Sequence, residues 1–192
     1  MTWNFDDLVK GHVTQTLLST MLAGVGYTVH RLGVEEIVPE LRGPNNPKVR
    51  EHLPERLRFI PDLLVIDPET GDVYLVEVKF RVSTSEDVFL LVLREIEDRR
   101  RYWPEAQTIL LRAEPRVSRG YHQDHIRVIT PELKVSELKR SISSPPGWWE
   151  GLPQLQDVFR RIFDRFDNQQ IADSITQVLR DLSTLEPPKS TF

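Results

Sequence analysis

The chain contains no cysteine. That excludes a disulfide scaffold, a Cys-based zinc site, an iron–sulfur cluster and a thiol nucleophile. It accords with a reducing compartment, so a cytoplasmic location is the expectation. Long apolar runs are missing too: none approaches the ~18 residues of a membrane span, and no membrane partner is expected. The opening MTWNFDDLVKGHV lacks a basic segment followed by an apolar one, so no secretory signal is expected. Gly-x-Ser-x-Gly, the P-loop and Gly-x-Gly-x-x-Gly are all absent, and no nucleotide cofactor is expected. A basic balance is lacking as well. Lys and Arg total 25 against 29 Asp and Glu, a net charge of −4. This argues against a surface wholly coated in basic residues for nucleic acid and leaves room for a local basic face.

What is present is a globular chain. Its 192 residues fit one domain, or one domain with an appendage, and 39% are hydrophobic. Residues 4–22 read as a helix, with Asn4 as N-cap, Asp6 and Asp7 in the first turn, and Val9, Val13, Leu17 and Met21 at helical spacing beside Leu8, Leu18 and Leu22. Gly24 and Gly26 end it, and Tyr27–Val34 reads as a strand. Pro39, Gly43, Pro44, Pro47 and Pro54 make residues 35–57 irregular, with a short helix near Val49–His52. Residues 58–81 form two apolar strands around the breaker run DPETGD, a hairpin. A helix capped by Ser83 or Ser85 runs to about Trp103, with Phe89, Val92, Leu93, Ile96 and Trp103 on its apolar side. Thr108–Arg112 and Ile126–Thr130 are short strands. Two amphipathic helices follow Trp148, one striped by Leu155, Val158, Phe159, Ile162 and Phe166, the next by Ile171, Ile175, Val178, Leu179 and Leu182. The order implies a mixed sheet flanked by helices.

The hairpin holds the chemistry. Its strands are almost wholly apolar, yet they carry Asp62, Glu77 and Lys79. Buried charge is costly unless it is paired or bound to a metal. Placing the turn at Glu69–Thr70 sets Ile66 against Val73 and Asp62 against Glu77, with opposed Cβ atoms ~5 Å apart. Lys79, two residues beyond Glu77, points to the same face. Two carboxylates and an ammonium then converge. A hard divalent cation such as Mg²⁺ suits that set; for the hairpin alone, a structural ion pair of Lys79 with one acid is the alternative.

Pro61-Asp62, 14 intervening residues and then Glu77-Val78-Lys79 resemble the two half-motifs of the PD-(D/E)XK nuclease superfamily. The family core is helix, three strands, helix, strand, an order that residues 4–112 repeat in the reading above. The resemblance implies an α/β fold with a restriction-endonuclease-like core (α-β-β-β-α-β, a mixed central sheet flanked by helices). Residues 1–140 would form that core, with an irregular insert over residues 35–57. Residues 141–192 would form a C-terminal helical pair packed on it. It further implies a Mg²⁺-dependent nuclease, with Mn²⁺ as substitute, hydrolysing phosphodiester bonds in DNA, most simply as an endonuclease. Asp62, Glu77 and the Val78 carbonyl would hold the metal, and Lys79 would position or deprotonate the attacking water and stabilise charge on the phosphate.

The chain departs from the family at Gln15, where the first helix usually offers Glu. Glutamine brings an oxygen but no charge, and Glu35, Glu36, Glu51 and Glu55 stand unranked as sources of a third acid. The Gln-x-x-x-Tyr pattern of some members is absent, since Asp98 stands four residues before Tyr102. The alternative reading is the same fold with a weakened site, serving as a DNA- or protein-binding module; a structural partner in a larger complex is a third.

Charge is uneven. Residues 81–140 hold 12 Lys and Arg against 10 Asp and Glu, whereas residues 1–80 hold 8 against 12. Arg94, Arg101, Arg116 and Arg119 are the candidate DNA contacts, the loop pair foremost. Dipole compensation at a helix end is an equal account of Arg99–Arg101. His122 and His125 read as solvated loop residues and His12 as a core histidine. Trp148 and Trp149 read as anchors for the tail, ahead of base stacking or contact with a second subunit. A homodimer suits double-strand cutting, though no residue marks its interface.

Overall fold

The computed structural model describes residues 5–38, 51–81, 85–112, 126–141, 148–162, 177–178 and 181. Helix α1 (Phe5–Gly24) buries Leu18 and Leu22 completely, with Val13 and Leu17 packed partly against the same core. It stops where Gly26 adopts φ 97°, a left-handed conformation that costs glycine little, and the Gly26 and Tyr27 amides close back onto the last turn.

Five strands form one sheet in the order β1-β2-β3-β4-β5: β1 (Thr28–Arg31), β2 (Leu63–Ile66), β3 (Val73–Arg81), β4 (Gln107–Arg112) and β5 (Ile126–Ile129). The β3–β4 pair is parallel and the others antiparallel, which makes the sheet mixed and the fold α/β. The parallel pair follows from chemistry in between. Helix α4 (Glu86–Arg100) supplies the crossover, with Phe89, Val92, Leu93 and Ile96 as its buried stripe. Ser85 takes its N-cap position, but the Ser85 side chain makes no capping bond.

The hairpin register agrees with the turn chemistry. Ile66 pairs with Val73 and Leu63 with Val76, and one step further sets Asp62 against Glu77. Asp67 organises the turn, its Oδ1 accepting from the Glu69 amide at 2.9 Å, while Gly71 takes φ 77°.

Several elements differ from expectation. Strand β1 is half the expected length because the Leu32 and Gly33 amides turn to the Asp62 carbonyl, after which one-turn helix α2 (Val34–Ile37) begins. Another one-turn helix, α3 (Glu55–Arg58), lies within the stretch read as irregular. Helix α5 (Val135–Ser141) was not expected: with Leu138 as its only deeply buried residue, it carries no stripe to be read. The helix expected through Phe166 is interrupted. Helix α6 (Leu155–Val158) ends at Phe159, whose φ −104° and ψ 82° are not helical, although Leu155, Phe159 and Ile162 still share one buried cluster. Phe166 and most of the second stripe lie outside the described residues.

Two cores flank the sheet. One joins α1 to Leu63, Val65, Val76, Val78, Ile109, Leu111, Leu155 and Phe159. The other joins α4 to Leu110, Ile129, Leu138, Trp148 and Trp149. The tryptophans are therefore interior anchors: Trp148 stacks on Phe89 at 3.8 Å between ring centroids. No helix among the described residues is long and apolar enough to cross a membrane.

Arg161 ties the tail to the hairpin turn, its Nη2 2.6 Å from Asp67 Oδ1 and its Nη1 2.9 Å from Glu69 Oε1. Arg161's hydrogen bonds hold the Asp67 carboxyl down at about 2, below its usual 3.8. A carboxylate depressed in the folded state adds stability that is complete above its unfolded pKa and lost as pH falls through the folded one. Urea unfolding of wild type and Asp67→Asn should therefore differ most at about pH 5 and above, and converge as pH falls toward about 2.

Candidate active site

Alternation along β3 separates two kinds of residue. Val76 and Val78 enter the α1-side core, so Glu77 and Lys79 project from the opposite face of the strand, toward α4. Asp62, just before β2, joins them: its Oδ2 accepts from the Val78 amide at 2.7 Å. Together they line a cavity of about 390 Å³ that also takes in Gln15, Glu35, Glu95, Asp98 and Arg99. The three motif residues are brought together, and Gln15 of α1 reaches the same cavity.

The charges in it are interlocked. Glu77 is 3% exposed. Lys79 Nζ sits 2.9 Å from Glu77 Oε1 and 3.1 Å from Glu95 Oε2. Arg99 Nη2 lies 2.7 Å from that same Glu77 Oε1, while Arg99 Nε donates to the Phe59 carbonyl. Glu77 Oε2, by contrast, is buried with no nitrogen donor, and the Glu77 carboxylate shares a hydrogen bond with the Asp62 carboxyl. Burial pushes the Asp62 carboxyl well above the usual range, and the Glu77 charge adds to that. Burial also works against ionised Glu77, but the Lys79 and Arg99 charges outweigh it and keep its pKa below normal. Burial presses Lys79 toward neutrality; the Glu77 and Glu95 carboxylates prevail and hold its pKa above that of a free lysine. The cavity thus presses Glu77 toward its ionised form, Asp62 toward holding its proton, and Lys79 toward keeping its charge.

That set fits a hard cation. Asp62 and Glu77 set two carboxyl groups against one another, close enough to share a hydrogen bond, and two opposed acids are what a divalent cation would draw together. Asp62, Glu77 and the Val78 carbonyl are the groups that would hold one. Among the described residues, however, no three His, Asp or Glu groups close up into a ready metal centre.

Arg99 was read as a dipole-compensating or phosphate-gripping residue. It is instead buried at 8% exposure and committed to Glu77. The signal was available: Arg99 lies three residues after Ile96, on the buried stripe of α4 rather than its wet side. Arg100 is likewise spent internally, on the Leu133 and Thr130 carbonyls at 2.7 Å each. Arg101 is exposed and 3.4 Å from Asp98, and Arg94 is exposed, so both remain available to a ligand on the surface. Arg116, Arg119, His122 and His125 lie outside the described residues. His12 is not a core histidine: it is exposed and lines the cavity. Tyr102 donates its hydroxyl to Glu55 and stacks on Phe59 at 5.5 Å, bracing α3 against the end of α4.

Compared with protein-family models, curated proteins and solved structures, the chain matches none of them.

Proposed function

We propose that this chain is a metal-dependent nuclease of the PD-(D/E)XK type, hydrolysing phosphodiester bonds in DNA on a restriction-endonuclease-like core. The observation that carries the reading is the convergence of Asp62, Glu77 and Lys79 in one cavity. A structural ion pair of Lys79 with Glu77 alone would not set a second, buried acid against Glu77. The order α1, β1, β2, β3, α4, β4 supports it further.

Asp62, Glu77 and the Val78 carbonyl would hold the cation. Bound Mg²⁺ or Mn²⁺ supplies Lewis-acid polarisation of the phosphate and a lowered pKa for water. Lys79, kept charged by Glu77 and Glu95, orients the attacking water and offsets negative charge gathering on the phosphate. In the metal-free state it is a hydrogen-bond donor rather than a base. Arg99 is a positioning residue: with Lys79 it holds Glu77 Oε1 in place. The lining carries five carboxyl side chains against three Lys and Arg. That excess disfavours a bare phosphate and favours one arriving with a divalent cation.

A binding module with a weakened site is the second reading, favoured by one specific pair of facts: Gln15 brings no charge to the cavity, and no three-acid centre is closed among the described residues. One assay separates the two. Purified chain is incubated with linear, single-stranded and branched DNA in Mg²⁺ or Mn²⁺, alongside Asp62→Ala. Cleavage that EDTA stops and Asp62→Ala lacks is the expected result. DNA retarded in a gel but cut by neither protein would overturn the nuclease reading in favour of the module.

A further inference from the structure

We infer that Arg58, at the end of helix α3, grips a DNA phosphate at the edge of this cavity. The inference rests on the DNA reading above and names a contact for it. Three Lys and Arg side chains line the cavity: Arg58, Lys79 and Arg99. Two of them are committed to acids. Lys79 is shared by Glu77 and Glu95, and Arg99 is held by Glu77. Arg58 is exposed, and its hydrogen bonds go to backbone carbonyls, with no carboxylate partner among the described residues.

Arg58 is nonetheless held in place. Its Nε donates to the Leu53 carbonyl at 3.0 Å and its Nη2 to the Glu51 carbonyl at 2.6 Å. Both bonds use one edge of the guanidinium, which leaves the Nη1 donors for a ligand. Carbonyls orient the fork without cancelling its charge. The following residue is anchored to the site as well: the Phe59 carbonyl accepts from Arg99 Nε, and Arg99 in turn binds Glu77. The guanidinium is thereby tied to the motif acids through the backbone. A loose surface arginine loses rotamer freedom when it binds, and one fixed beforehand loses less. The lining is otherwise acidic, with five carboxyl side chains, so an entering phosphate needs a protein cation that no acid has taken. Arg58 is that cation. Arg56, two residues earlier, is the contrast: its guanidinium lies over the Trp103 ring at 4.8 Å, and it is outside the lining.

The test measures binding of the full chain to a short fluorescent DNA duplex by anisotropy, in Ca²⁺ and over a series of salt concentrations. Arg58→Gln should bind at least about tenfold more weakly than wild type and lower the slope of log affinity against log salt by about one, a change that a merely structural role would not produce. Arg56→Gln removes the same charge from the same helix and should bind within about twofold of wild type. Equal weakening by both variants would overturn the assignment, since general charge attraction would account for it. Wild-type affinity and slope in Arg58→Gln would overturn it too and leave DNA binding standing. Should Arg58→Gln fail to fold, phenylglyoxal labelling of wild type, read by mass spectrometry, decides: DNA should shield Arg58 more than Arg56, and equal labelling of Arg58 with and without DNA would overturn the contact. If wild type neither binds nor cuts DNA, the DNA reading falls along with it.

Discussion

Glu77→Ala and Lys79→Ala are each expected to lower Mg²⁺-dependent DNA cleavage by roughly 10²- to 10³-fold or more, for different reasons. Glu77 is 3% exposed and is one of the two acids proposed to hold the cation, so its loss should remove cation binding. It also strands Arg99, which keeps only the Phe59 carbonyl, and Lys79, which keeps only Glu95. Breaking a buried ion pair by removing one partner costs about 3–5 kcal/mol. Arg99 is nearly buried and Lys79 one-fifth exposed, so the lower end applies. Lys79→Ala leaves Asp62 and Glu77 in place. It should retain Mn²⁺ affinity while losing turnover, because the role proposed for Lys79 is on water and phosphate rather than on the cation. Single-turnover cleavage rates, calorimetric Mn²⁺ titration and urea unfolding separate the two variants. Equal trace cleavage by wild type and both variants would assign that activity to a contaminant and leave the binding module as the surviving reading.

Trp149→Ala is expected to destabilise the fold by about 3–5 kcal/mol, the cost of emptying a buried large aromatic site. Trp149 is 2% exposed, meets Trp148 edge-on at 5.5 Å, and lies beneath the Arg112 guanidinium at 4.8 Å. Its removal also deprives Arg112, itself 2% exposed, of that aromatic face. The cavity would open between α4, β5 and the segment that follows α5, since Phe89, Ile129 and Leu152 share the cluster. Urea denaturation followed by far-ultraviolet circular dichroism measures it. Trp103→Ala, where the side chain is half-buried and its indole donates to the Arg56 carbonyl, should cost distinctly less. Unchanged stability with weakened DNA binding in Trp149→Ala would instead make it a base-stacking residue.

The contrast between Trp149 and Arg99 shows what could be read in advance. An apolar pair after a break such as Ser143-Ser144-Pro145-Pro146-Gly147 has few places to go but a core, and burial follows from transfer free energy alone. A cation at the end of an amphipathic helix has two fates, solvent or a buried acid. Only the position of Glu77 on another element decides between them. His12 misled for the same reason. It lies near the apolar stripe of α1, yet it is exposed and borders the cavity.

What the sequence determined by itself was local. The breaker run DPETGD centres a turn, the turn sets the register, and period-two alternation then puts Asp62, Glu77 and Lys79 on one face. The two apolar stripes of α1 and α4 likewise required burial against a sheet. Tertiary structure alone decided which distant groups meet that face. Arg99 and Glu95 arrive from α4 through a parallel crossover. Such meetings depend on loop closure between segments far apart in the chain, and no residue spacing encodes them. The raised pKa of Asp62 belongs to the same class: it follows from burial beside Glu77, and burial exists only once the sheet and its helices have closed around both.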